Sequence, residues 1–205
     1  MRPLPRLLAI TDDRVVDTED FPIKTAAIAS AGPMVGIVVR APGATADHQL
    51  TLLHRVRALI RPPEAAFLAH GDAALGAMSE AHGLELSAAG PSPTEARRVF
   101  RAGWIGVSVR TMTEAERAVA DGADFLVAGN VFPPGSGPTE AGLGLDWLRR
   151  ITELGVPVFA IGGIGVDQIA SVREAGVWGV AAMSALWHST DPARTADQFA
   201  RELTA

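Results

Sequence analysis

Chemistry in this chain must come from a short list of side chains. It has five histidines, 23 acidic residues and 18 basic ones, but no cysteine. Thiolate nucleophiles and disulfides are therefore excluded. Only one basic residue, Lys24, is a lysine. It follows the first turn instead of ending an apolar run, which reads as a solvated charge on the first helix. Schiff-base chemistry, which needs a desolvated amine beside the substrate, fits this chain poorly. Two adjacent carboxylates, Asp12 and Asp13, have the types for paired acid/base work, although such residues more often cap a following segment or hydrogen-bond within the barrel mouth. Arg40 and Arg110 each follow an apolar run and suit bidentate contact with a carboxylate or phosphate; the alternative is an ion pair with Asp12, Asp13 or Glu85. His70 ends another apolar stretch. Its imidazole titrates near neutrality, as a general base requires, and the alternative is a hydrogen-bonded histidine at a strand end. His48 and His54 share one helical pattern and read as surface or interhelix residues. His82 precedes a strand, and the role of His188 is open. No pair of histidines has metal-ligand spacing with a third ligand.

Two further segments point to an anion. In Ala160-Ile161-Gly162-Gly163-Ile164-Gly165, glycines lie between an apolar run and a helical pattern, where the backbone can approach a phosphate closely. Ala182-Met183-Ser184-Ala185-Leu186 ends the next apolar run. A tight turn is the alternative for each segment alone; at consecutive strand ends the two together favour phosphate binding.

These residues are separated by a regular alternation of strand and helix patterns. The strand-like runs are 7–10, 35–39, 65–68, 84–86 (short and weak), 104–109, 125–128, 158–161 and 179–183. Helical stretches follow at about 23–31, 45–60, 73–81, from 93 onward, 113–121, 145–154, 166–175 and 191–203, and Thr113-Glu114-Ala115-Glu116 reads as a capping box. Eight such units call for an all-parallel sheet, and units of about 25 residues fill the chain with no remainder. The expected fold is a single-domain (β/α)8 TIM barrel, preferred over a doubly wound open sheet. Its active site would lie at the C-terminal strand ends. That rule gathers Thr11, Asp12, Asp13, Arg40, His70, Ser108, Arg110, Asn130, Gly162, Gly163 and Ser184. The four tryptophans are too dispersed for a stacking platform. The glycine- and proline-rich stretch 130–142 is a candidate lid.

The chain has 205 residues, 48% of them hydrophobic, with 21 glycines and 14 prolines. This suits a compact α/β fold with many short turns. A net charge of −5 with no basic face argues against nucleic acid as a partner. The apolar runs are strand-length, so no membrane span is expected, and Met1-Arg2-Pro3-Leu4-Pro5 lacks a signal-peptide pattern. A soluble cytoplasmic protein is the default.

Ile10-Thr11-Asp12-Asp13, Gly106-Val107-Ser108-Val109, Gly122-Ala123-Asp124-Phe125, Gly129-Asn130-Val131-Phe132-Pro133, Ala160-Ile161-Gly162-Gly163-Ile164 and Gly179-Val180-Ala181-Ala182-Met183-Ser184-Ala185 stand in the order and spacing of the thiamine phosphate synthase/TenI superfamily. The chain resembles that family over nearly its whole length, most specifically from Gly106 to Ala185. The family contains synthases, which join a pyrimidine diphosphate to a thiazole phosphate with Mg²⁺, and TenI-type thiazole tautomerases, which aromatise a thiazole phosphate carboxylate without metal. The resemblance implies that Gly162, Gly163, Ser184 and Ala185 hold a thiazole-type phosphate; by position, Ile164, Met183 and Arg110 complete the expected binding set. It makes Arg40 and Ser108 matched site residues and implies a homodimer or larger assembly.

The departures are equally informative. The Asn-Asp pair of the synthases after strand 3 is replaced by His70-Gly71, with Asp72 one residue beyond. Gly90 stands at the second acidic position. Gly135-Ser136-Gly137 and Ala41-Pro42-Gly43 replace two lysine-bearing stretches. The tautomerase histidine after strand 6 is Asn130, so His70 is the substitute base by position. The catalytic set is therefore His70, Asn130, Arg40 and Ser108. No cofactor is expected, and Mg²⁺ only for a synthase. The favoured expectation is a TenI-like protein binding a thiazole phosphate. Its alternatives are a divergent synthase, a non-catalytic phosphate-ligand-binding or regulatory protein, and a phosphorylated-sugar isomerase on the same fold.

Overall fold

A computed structural model describes residues 2–60, 65–133 and 142–204. Its strands are Leu7–Ile10 (β1), Val35–Val39 (β2), Ala66–His70 (β3), Gly83–Ser87 (β4), Trp104–Val109 (β5), Phe125–Gly129 (β6), Val158–Ile161 (β7) and Gly179–Ala182 (β8). All pair in parallel, and β8 returns to β1 to close the barrel. The fold is the (β/α)8 TIM barrel expected from the alternating pattern.

The strands are buried on both faces, so they read as continuous apolar runs. Alternate residues divide the core in two. Leu7, Ala9, Val35, Ile37 and Phe67 face the helices, whereas Leu8, Ile10, Val38, Leu68, Phe125, Val127 and Phe159 fill the interior. Interior packing alternates large and absent side chains. A Cβ on Gly106 would lie 2.1 Å from the Phe125 ring, and one on Gly83 would meet both Leu68 and Trp104. Phe125 and Phe159 meet edge to face with centroids 5.4 Å apart. At the N-terminal end, the Arg6 guanidinium sits 3.6 Å from the centre of the Trp178 ring. The tryptophan indole N–H donates to the Pro5 carbonyl at 2.8 Å. The barrel is therefore plugged from below and open only above Phe125.

The helices are Asp13–Val16 (α1), Phe21–Ala29 (α2), Ala46–Leu59 (α3), Ala73–Met78 (α4), Pro93–Arg97 (α5), Met112–Ala120 (α6), Gly144–Thr152 (α7), Ile169–Glu174 (α8), Ser184–Trp187 (α9) and Pro192–Glu202 (α10). Their starts correct one expectation. The capping box of α6 is Thr111 with Glu114, not Thr113 with Glu116. Thr111 has extended backbone and takes the Glu114 N–H, whereas Thr113 already lies inside the first turn. Several other boundaries differ by a few residues, and two matter for the site. The stretch 166–175 opens with a 3₁₀ turn at Val166–Gln168. β3 runs two residues past Leu68, so His70 belongs to the sheet itself. The candidate lid 130–142 lies mostly outside the described residues. Its ends are pinned where the Leu143 N–H donates to Asn130 O at 2.8 Å and the Gly144 N–H to Val131 O at 3.0 Å.

The interior packing makes a prediction. Gly106→Ala forces a methyl into the Phe125 ring and is expected to destabilise the protein by about 1–3 kcal/mol or more. Adding Phe125→Leu should return part of that loss. Equilibrium urea denaturation of the two single variants and the double variant checks the coupling.

Candidate active site

A cavity of about 490 Å³ opens at the C-terminal strand ends. Its floor is apolar, with Ile10, Val127, Ile161 and Met183, and its wall carries Arg40, His70, Glu85, Ser108, Arg110 and Asn130. The whole expected catalytic set (Arg40, His70, Ser108 and Asn130) thus shares one cavity with two of the expected ligand-binding residues, Arg110 and Met183. Gly162, Gly163, Ile164, Ser184 and Ala185 do not line it. They follow directly on the lining residues Ile161 and Met183, at the β7–β8 side of the mouth.

Each wall residue has a local reason for its place. The fully buried Thr11 donates its hydroxyl to Arg40 O and accepts the Arg40 N–H, both at 2.8 Å, joining the ends of β1 and β2. His70 and Glu85 are register partners on β3 and β4, and the Gly71 N–H donates to Glu85 O at 2.8 Å just beyond them. Ser108 on β5 donates its hydroxyl to Glu85 Oε1. Asn130 packs against Gly162, where a Cβ would lie 2.6 Å from Asn130 Cβ; the φ of +99° there also favours glycine. Gly163 meets Phe132 and Pro133 in the same way. Among the described residues, the backbone N–H groups of Gly163, Ile164, Ser184 and Ala185 have no protein acceptor.

The carboxylates around the mouth mostly start helices. Asp12 accepts the Val15 N–H at 2.9 Å and caps α1. Asp13 accepts the Gly43 N–H at 2.9 Å. Asp72 caps α4 through Ala74 and Leu75, and Glu114 accepts from Arg110 N and Thr111 N. Asp12 thus caps the following segment, and Asp13 hydrogen-bonds within the barrel mouth. Neither they nor Glu85 pairs with Arg40 or Arg110, whose guanidinium groups have no ion-pair partner among the described residues. Glu85 was considered from sequence only as a partner for these arginines. Its signal was a carboxylate between Leu84 and Leu86: those two face the helices, so Glu85 must face the interior.

The Mg²⁺ that the family's synthases use requires several oxygen ligands, usually with carboxylates among them. Among the described residues, no group of three or more histidine or acidic side chains is placed to hold a metal ion. Asp72, the candidate nearest the expected position, has one carboxylate oxygen engaged by two helix N–H groups. Among the described residues, the side chains do not form an Mg²⁺ site by themselves; a cation that arrives on a substrate diphosphate needs only one or two carboxylates.

His70 is half-buried, and burial pushes its pKa below the ordinary 6.5; Glu85 opposes this and Arg40 adds to it. The imidazole is therefore neutral and able to accept a proton near pH 7. The remaining histidines have other surroundings. His48 and His54 are exposed on α3, and His188 is exposed after α9. The Nδ1 of His82 accepts the Phe67 N–H at 3.1 Å at the closed end. Lys24 pairs with Asp20 at 2.9 Å on α2. No helix among the described residues is long and apolar enough to cross a membrane.

The fold and mouth define a (β/α)8 barrel with a polar cavity, carrying two arginines without ion-pair partners among the described residues, at the C-terminal ends of its strands, the position of the active site in such barrels. The chain belongs to the thiamine monophosphate synthase family, whose sequence model matches residues 7–186. It is 34% identical over 128 residues to a thiamine-phosphate synthase of Caldivirga maquilingensis, a stretch covering 62% of each chain and so less than two thirds of that relative. It is 32% identical over 179 residues to the thiamine-phosphate synthase of Moorella thermoacetica, covering 86% of this chain and 85% of that one. The solved thiamine phosphate pyrophosphorylase of Pyrococcus furiosus superimposes with a TM-score of 0.81 at 27% identity, covering 97% and 95% of the two chains.

The electrostatics make two predictions. By NMR, His70 should titrate below 6.5, and Arg40→Met should raise its pKa by removing a nearby positive charge. His82 is also depressed, first by burial and then by Arg2 and Arg57. Between the folded pKa values and 6.5, the unfolded chain binds more protons than the folded one. Stability should therefore fall as the pH is lowered through 6.5, which thermal melts across a pH series would detect.

Proposed function

We propose that this barrel binds a phosphorylated thiazole-type ligand of thiamine biosynthesis and moves a proton on it, with His70 as the base. The observation that carries this reading is a half-buried, neutral histidine on the cavity wall beside the unpaired Arg40. A neutral imidazole can take a proton from a carbon acid, and Arg40 stabilises the negative charge that develops. The reaction is an isomerisation: one C–H proton leaves the ligand and one returns at another atom, with no redox change. Arg110 sits at the outer edge, where it can meet a second anionic group. Ser108 and Asn130 offer hydrogen bonds to the ring. The phosphate goes to the unengaged N–H groups of Gly163, Ile164, Ser184 and Ala185, beside Gly162 and Met183. No step uses a metal.

A second reading is a divergent thiamine phosphate synthase, favoured by the names of the relatives at 30–37% identity. It requires a diphosphate to be handled by Arg40 and Arg110 in place of lysines and a protein-held cation.

The test offers the purified protein a pyrimidine diphosphate, a thiazole phosphate and Mg²⁺, and separately a non-aromatic thiazole phosphate carboxylate alone. Aromatisation without Mg²⁺, lost by about 10²–10⁴-fold in His70→Asn, is the expected result. Arg40→Met should weaken the reaction by about 10- to 100-fold, the worth of one charged hydrogen bond. Thiamine phosphate formation at an enzyme-like rate would replace this reading with the synthase. Tight binding without either turnover would mark a binding protein.

A further inference from the structure

Among the described residues, Glu85 is the one carboxylate of the mouth that neither caps a helix nor ties a loop. It is 2% exposed, at the edge of an otherwise apolar floor. Burying an anion is unfavourable unless its oxygens are satisfied. One oxygen takes the Ser108 hydroxyl. The other, Oε2, lies 3.9 Å from His70 Nε2. The backbone holds the two residues together: they are register partners, and the Gly71 N–H donates to Glu85 O just beyond them. Both side chains face the cavity.

We propose that Glu85 is a positioning residue for His70: anchored by Ser108, it turns the imidazole so that Nε2–H faces Oε2 and leaves Nδ1 as the basic nitrogen. Which ring nitrogen carries the proton follows from the acceptor offered to the other. The gap of 3.9 Å is longer than a hydrogen bond; in catalytic pairs such contacts tighten when ligand arrives. Among the described charged groups near His70, Glu85 is the buried carboxylate that faces Nε2. Arg40 is a cation, and the Asp72 carboxylate in the turn behind caps α4. The catalytic meaning of this arrangement rests on the reading of His70 as base, but the arrangement itself does not.

The experiment uses the full chain with ¹⁵N-labelled histidine and long-range ¹H–¹⁵N correlation spectra across a pH series. Wild type is compared with Glu85→Gln and Ser108→Ala, and thermal melts confirm folding. His70 is expected as the Nε2–H tautomer in wild type. In Glu85→Gln that preference should be lost and its pKa should fall further, because the opposing charge is gone while burial remains. Ser108→Ala keeps the carboxylate but frees it, so the tautomer preference should weaken without a comparable fall in pKa; it supplies the readout if Glu85→Gln fails to fold. Identical His70 nitrogen shifts and titration in wild type and the folded variants would overturn the proposal. Where turnover is present, the acid limb of kcat/KM should move to lower pH in Glu85→Gln, with kcat reduced about tenfold and KM little changed. A spectral response with an unmoved acid limb, or with no turnover, upholds the positioning role and removes His70 as the base.

Discussion

The interior of an eight-stranded barrel is only wide enough for side chains, and how this chain fills it determines where anything else can happen. Phe125 lies across the axis over Gly106, Phe159 meets it edge to face, and Trp104 and Leu68 crowd against Gly83. Nothing polar fits at that level without an unsatisfied buried group. One layer higher the filling stops. The inward positions of β3, β4 and β5 become His70, Glu85 and Ser108, and Arg40 follows directly on β2. The cavity is the unfilled top of the same packing that holds the barrel together.

A second constraint separates the charges of the mouth into two groups. Asp12, Asp72 and Glu114 accept N–H groups at helix starts, where a carboxylate is favoured by the local geometry and the helix dipole. Asp13 ties the β1 loop to Gly43. The arginines keep their guanidinium groups unpaired above the floor. With Glu85 buried against Ser108, the outward charge of the mouth left without an ion-pair partner among the described residues is positive, in a chain of net charge −5. Local arrangement, more than overall charge, decides what such a cavity attracts.

The fold was legible because each strand is a short apolar run bounded by turn residues, and β1, β2, β5 and β7 lie at the residues their patterns indicate. Helix starts were less so. Thr111 and Thr113 are both followed three residues later by a glutamate, and only backbone conformation distinguishes the cap from the first turn. Strand-end position also brought Arg40, His70, Ser108 and Asn130 to one cavity. Glu85 was harder to read, since a carboxylate within a weak strand pattern looks like a defect until the register shows which face it occupies. The contacts of Asp12 and Asp13 required coordinates, because the same two residues are compatible with a cap or a reactive pair.

Because the carboxylates at the rim also begin helices, their freedom to turn is limited in this protein. One oxygen each of Asp72 and Glu114 is held by backbone N–H groups at a helix start, which fixes where the other oxygen looks. Whatever arrives at this rim meets carboxylates already aimed. A substitution that re-aimed one of them would be felt first as a frayed helix. The helix caps thus act as a jig, setting the direction of the rim's charges before any ligand is present.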